Sequence, residues 1–66
     1  MENRNNVRKL REARMWSKIE LARRAGISPL TIDRIEKGMP SRITTRRKIL
    51  VAFGLKVSQR YRVFRK

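Results

Sequence analysis

Read in order, the apolar positions fall into short helical stripes separated by stop signals. Val7 and Leu10 begin the first stripe, and Asn5 or Asn6 precedes it as an N-cap, which predicts a helix over residues 6–14. The string Trp16-Ser17-Lys18-Ile19-Glu20-Leu21 opens a second helix. Ser17 and Glu20 have the spacing of a capping box, and Trp16 and Leu21 that of a hydrophobic staple. Gly26 follows, at the place where a left-handed residue ends a helix. A third helix is predicted over residues 29–37. Ser28 is its N-cap, Pro29 takes the first position, where a missing N–H costs nothing, and Gly38 stops it. Ile27 and Ile32 make a second staple. After the turn Met39-Pro40-Ser41, a fourth helix begins near Ser41 or Thr44, carries Ile49, Leu50 and Phe53, and ends at Gly54. The segment beyond Leu55 reads two ways. Ser58 can cap a short helix, whereas Val57, Tyr61 and Val63 alternate as in a strand.

The link between the second and third helices is the most informative part of this pattern. Only Gly26 and Ile27 separate one helix end from the next cap, so the two axes must cross steeply. Ala22 and Ala25 are small where such helices touch, and Leu21, Ile27, Ile32 and Ile35 are spaced to fill the wedge. Ser28, Pro29, Leu30, Asp33, Arg34 and Lys37 are left on the outer face. This is the geometry of a helix-turn-helix unit, whose second helix enters the DNA major groove.

Composition narrows the partners. The 66 residues carry 19 Lys+Arg, 5 Asp+Glu, no His and no Cys, for a formal charge of +14. From Lys37 onward ten side chains are basic and none is acidic. So one-sided a charge repels itself unless a polyanion is near, which makes nucleic acid the leading partner and an anionic membrane the second. Without Cys there is no disulfide framework or thiolate metal site, and without His the commonest general base and metal ligand are missing. Composition therefore argues against an enzyme, and no metal, cofactor or small-molecule ligand is expected. The longest apolar run, Ile49-Leu50-Val51-Ala52-Phe53, falls far short of the roughly 20 residues of a membrane span. A chain this short is one domain at most and buries little core. The expected division is a helix-turn-helix domain over residues 1–55 and a basic tail over 56–66.

Residues 18–37 resemble the twenty-residue helix-turn-helix core, with Ala22, Gly26, Ile32 and Ile35 at its fifth, ninth, fifteenth and eighteenth positions. The wider string VRKLREARMWSKIELARRAGISPLTIDRIEKG, continued to ILVAFGL, is similar to the lambda-repressor/Cro-like family, often called XRE-type. The resemblance covers about residues 7–55. It implies a small, compact all-α domain of four or five helices that binds double-stranded DNA and commonly dimerises on near-palindromic sites. It implies base-edge reading by Ser28, Pro29, Leu30, Asp33 and Arg34. Phosphate contacts are implied at the start of the second helix, Ser17 and Lys18, and after the recognition helix, Lys37 and Arg42. Arg11 and Glu36 occupy the positions of a structural ion pair. Lys18 replaces a frequent Gln, Met15 a frequent Gly, and Arg46 and Arg47 frequent apolar residues. Pro29 and Leu30 are apolar where many relatives are polar, which raises the share of backbone electrostatics.

Several side chains keep more than one reading. Arg34 is a bidentate partner for guanine or a phosphate clamp. Asp33 accepts from a cytosine amino group or orients Arg34 or Lys37 at helical spacing. Trp16 is a staple or a base stacker. Arg46, Arg47 and Lys48 form a solvated face or add phosphate contacts. Tyr61, Val63 and Phe64, set among Arg60, Arg62, Arg65 and Lys66, complete the core, make a dimer contact or line a groove. The expected function is a sequence-selective transcriptional regulator, cytoplasmic and associated with the nucleoid. Its rivals are an architectural or recombination-accessory DNA-binding protein and an antitoxin or adaptor module.

Overall fold

The computed structural model describes residues 5–64. Four α-helices follow one another: α1 (Val7–Ala13), α2 (Lys18–Ala25), α3 (Pro29–Glu36) and α4 (Ile43–Ala52). A 3₁₀ helix (Val57–Arg62) comes last. Among the described residues there is no strand, and the sole extended pairing is an antiparallel bridge between Asn5 and Phe64. The fold is all-α. Arg65 and Lys66, read with the tail, lie outside the described residues.

Each α-helix closes in the same way. The amide two residues past the last turn reaches back five residues, and the one before it reaches back to the next carbonyl, as in a Schellman motif. The long bonds are Trp16 N–H to Arg11 C=O (3.1 Å), Ile27 to Ala22 (3.0 Å), Met39 to Arg34 (3.1 Å) and Leu55 to Leu50 (2.9 Å). The motif demands one left-handed residue, and the chain supplies Met15 (φ 59°), Gly26 (72°), Gly38 (88°) and Gly54 (77°). Three of the four are glycine. Met15 adopts the same backbone with a Cβ, and its side chain is 92% exposed, so no packing offsets the strain.

The helix starts are less uniform. Ser17 Oγ accepts from Glu20 N–H (3.0 Å), and Ser28 Oγ from Thr31 N–H (3.2 Å). The return half of the expected capping box is replaced, because Arg23 and Arg24 take the two Glu20 carboxylate oxygens. At α4 neither Ser41 nor Thr44 caps. Arg42 is the N-cap, without a side-chain bond, and Ser41 Oγ accepts instead from Arg46 Nε (3.1 Å). Trp16 stacks on Phe53 at 6.0 Å and 5°, with the Arg14 guanidinium near both rings and that of Arg24 4.3 Å from the Trp16 ring.

The core draws on all four α-helices and on the two residues after the 3₁₀ helix. Leu21, Ile32, Ile35, Ile49, Val7 and Val63 are fully buried, with Ala22, Ala25, Leu50, Phe53 and Phe64 around them. α2 packs on both α3 and α4, with Ala22 and Ala25 buried on its inner side. The last described residues are part of this core. Val63 and Phe64 are buried, and Tyr61 is exposed. Asn6 N–H donates to Val63 C=O (2.7 Å) and Asn6 Nδ2 to Arg62 C=O (2.9 Å). The strand reading of the tail is thereby corrected: it is a 3₁₀ turn ended by a single bridge. Its start is fixed by Gln59 Oε1, which accepts from Lys56 N–H (2.9 Å), and not by Ser58.

Replacing Met15 by glycine removes a left-handed Cβ without touching the core. The expected gain is about 1 kcal/mol, which lifts the melting temperature of a domain this size by about 4–8 °C. Thermal unfolding followed by circular dichroism measures it, and an unchanged or lower midpoint contradicts the assigned strain.

Candidate nucleic-acid interface

The outer face of α3 is set by what grips its inner face. Ile32, Ile35 and Glu36 are buried. Ile32 and Ile35 join the hydrophobic core, and Glu36 meets α1. The Arg11 guanidinium donates to both Glu36 oxygens, from Nε at 2.6 Å and from Nη2 at 3.1 Å. Its remaining nitrogen, Nη1, donates to the carbonyl of Trp16 (2.8 Å). Asn5, also buried, donates from Nδ2 to the Ile35 carbonyl (2.8 Å) and accepts from Val7 N–H (3.1 Å). The end of α3 is thus held from inside by a planar bidentate ion pair and an amide. The sequence reading missed Asn5 in this role, since it registered the residue only as a cap for α1.

Residues 28–30 and 34 are therefore turned outward. Ser28, Pro29, Leu30 and Arg34 are exposed, with Leu30 at 57%. Ser28 Oγ is occupied by the cap and lies 2.9 Å from Thr31 Oγ1. Pro29 has no N–H to offer, so the start of α3 presents a largely apolar edge. One turn further on, Arg34 shares a depression of about 190 Å³ with Thr31, Pro40, Ser41, Arg42 and Thr45. No hydrogen bond or ion pair engages the Arg34 side chain among the described residues. Thr31 and Thr45 were not singled out from the sequence. Thr31 lies one helical turn before Arg34, but only the approach of α4 brings Thr45 beside it.

Asp33 lies between two cations. Its Oδ1 accepts from Lys18 Nζ at 2.6 Å, and its Oδ2 is 3.1 Å from Lys37 Nζ. Lys18 is the first residue of α2 and Lys37 follows the last residue of α3, so the three side chains span the turn between the helices. The Lys18 ammonium, and after it that of Lys37, holds the Asp33 carboxyl below the usual carboxylate range. Of the two local partners considered for Asp33, Lys37 at helical spacing is the one engaged, and Lys18 from the preceding helix joins it.

The other candidate phosphate ligands divide. Lys37, Arg42 and Arg47 are exposed around the end of α3 and the start of α4. Ser17 Oγ is engaged as a cap. Arg46 is half-buried, bonded to Ser41 and laid 5.4 Å from the ring centre of Phe64. It lines a groove with Ile43, Arg47, Leu50, Val57 and Arg60, so its role in this structure is packing between α4 and the 3₁₀ helix. Among the described residues no cluster of His, Cys, Asp or Glu is placed to hold a metal ion. No helix among them is long and apolar enough to cross a membrane.

A short turn, a recognition-type helix gripped on one side and a cationic rim together match a known profile. The profile described as helix-turn-helix fits residues 7–60. The chain belongs to the XRE-type helix-turn-helix family. This is a family of lambda-repressor-like DNA-binding regulators, and α2 and α3 form the helix-turn-helix of this member. No curated protein and no solved structure matches the chain.

Two expected outcomes follow from these contacts. Arg11→Met leaves the Glu36 carboxylate buried without a partner and costs about 3–5 kcal/mol, enough to unfold most of a small domain at room temperature. Urea titration measures the loss. The Asp33 carboxyl, followed by ¹³C NMR, titrates below the value of about 3.9 found in unstructured peptides, and Lys18→Ala moves it upward. A depressed folded pKa means that the contribution of this ion pair to stability is complete above the unfolded value and fades as pH falls through the folded one.

Proposed function

We propose that this protein is a sequence-selective regulator that reads the major groove of duplex DNA with α3 and holds the flanking phosphates with lysine and arginine. The observation that carries the reading is the outward face of α3, where Arg34 is exposed, and unengaged among the described residues, beside a rim of basic side chains. In this reading Arg34 is the base reader, since a guanidinium can donate two parallel bonds to guanine O6 and N7. Leu30 and Pro29 supply apolar contact, suited to a thymine methyl. Ser28 keeps the helix start in place, and Asp33 offers an acceptor for an amino group.

Lys18, Lys37, Arg42 and Arg47 act as phosphate anchors, with Ser17 and Arg46 as more distant contributors because both are engaged within the fold. Each phosphate neutralised releases condensed counterions, so affinity falls steeply with salt. Arg42 and Arg47 fix register and carry no sequence information, and selectivity rests on the α3 side chains. A homodimer on a two-fold site belongs to the same proposal. Ile43, Val57 and Tyr61 expose apolar surface on α4 and the 3₁₀ helix, and bound phosphates would offset the repulsion between two copies of charge +14. A nucleoid-associated, cytoplasmic location follows from the proposed activity.

A binding titration over a randomised duplex pool tests the assignment. Arg34→Ala is expected to change which sequences are enriched. Arg47→Ala is expected to weaken every sequence alike and to reduce the salt slope by about 0.9. Equal losses on all sequences for Arg34→Ala remove it from base reading. A wild-type pool with no enrichment favours an architectural protein instead.

A further inference from the structure

An acidic side chain on a surface meant for phosphates needs a reason. Asp33 is one of only 5 acids in the chain, and its neighbours Lys18, Arg34 and Lys37 are all cationic. Stability does not supply the reason. Its lysine partners are 45% and 69% exposed, and ion pairs this open to solvent contribute little. Nor does the helix dipole, since Asp33 is the fifth of eight residues in α3 and lies beyond the first turn. What Asp33 does is occupy both flanking anchors at once, one through each carboxylate oxygen.

We propose that Asp33 is a selectivity residue that works by exchange of partners. Off its target, the carboxylate keeps the Lys18 and Lys37 ammonium groups turned toward itself. The trio then presents one net positive charge to DNA where two free lysines would present two. For both lysines to swing onto phosphates, Asp33 must lose its partners while facing a polyanion. On the correct sequence, an exocyclic amino group of cytosine or adenine in the major groove takes their place, donating to the vacated carboxylate. On other sequences nothing replaces them, and the unpaired carboxylate repels the backbone. One side chain thus couples base reading to the release of two phosphate anchors. The inference rests on the proposed roles of α3 and the lysines, and it adds the link between them.

The test uses the full chain, its own enriched sequence from the randomised pool and a random duplex, titrated across salt. Asp33→Ala is expected to tighten random-duplex binding on the order of fivefold and to steepen its salt slope by about 0.9. The ratio of enriched to random affinity is expected to fall about tenfold. Asp33→Asn removes the charge and keeps an acceptor, so it should tighten random binding equally while losing less of the ratio. Should Asp33→Ala melt early, this near-isosteric variant still carries the random-binding arm. In a Lys18→Ala/Lys37→Ala background the gain from Asp33→Ala should vanish. A gain of the same size there means that the carboxylate acts as a bare charge and overturns the exchange. An unchanged ratio in Asp33→Ala overturns it as well. A wild-type chain without any enriched sequence overturns the selective reading itself, and that result appears before any Asp33 variant is measured.

Discussion

The arrangement depends on the buried pair of Arg11 and Glu36. A helix of eight residues has too few turns to be stable alone, so α3 exists because its inner stripe is held. Ile32 and Ile35 bring it to the core, but apolar contact is non-directional and leaves rotation about the helix axis loosely set. The planar guanidinium meets the carboxylate in two parallel bonds and admits one orientation. It spends its third nitrogen on the carbonyl of Trp16, at the turn that leads into α2. One side chain from α1 therefore fixes both the roll of α3 and the entry to its partner helix. The charge carries a desolvation cost that an apolar pair would avoid, and what it supplies in return is a defined outer face.

That face has two chemical halves. Its beginning, around Pro29 and Leu30, is apolar and poor in donors. Its end, with Arg34, Lys37 and the approach of Arg42, is cationic. In the proposed reading, selectivity is concentrated in few side chains, while affinity is spread around the rim. The uneven charge of the sequence fits this division, because the residues after Glu36 supply positive charge without any acid to offset it. The exception on the face, Asp33, is already paired, which reconciles an acid on α3 with attraction to a polyanion.

Helix ends were legible in the sequence because the signals are local. Ser17, Gly26, Ser28, Pro29, Gly38 and Gly54 act through their own backbone or that of close neighbours, and each stands at the boundary it announces. Legibility failed where a partner comes from elsewhere in the chain. Glu20 has the right spacing for a capping box, yet two arginines on the same helix compete better for its oxygens. For Trp16 the sequence offered a staple to Leu21, and it did not show the stacking on Phe53, which comes from the end of α4. For the segment after Leu55 the sequence left a short helix and a strand open; a 3₁₀ helix forms, and the residues that hold its end, Asn5 and Asn6, come from the start of the described chain. The candidate face followed from helical spacing, since burial of Ile32 and Ile35 leaves the remaining sides to solvent. Its internal wiring did not: Lys37 at four residues from Asp33 is a helical neighbour, whereas Lys18 arrives only when α2 folds across.

The bridge between Asn5 and Phe64 brings the two ends of the described chain side by side. Attachments at either end would therefore leave the domain from a single spot. That spot adjoins the end of α3, since Asn5 bonds the Ile35 carbonyl. A short loop joining residues 5 and 64 would complete a closed ring of backbone, and new ends cut elsewhere would yield a circular permutant with the same core.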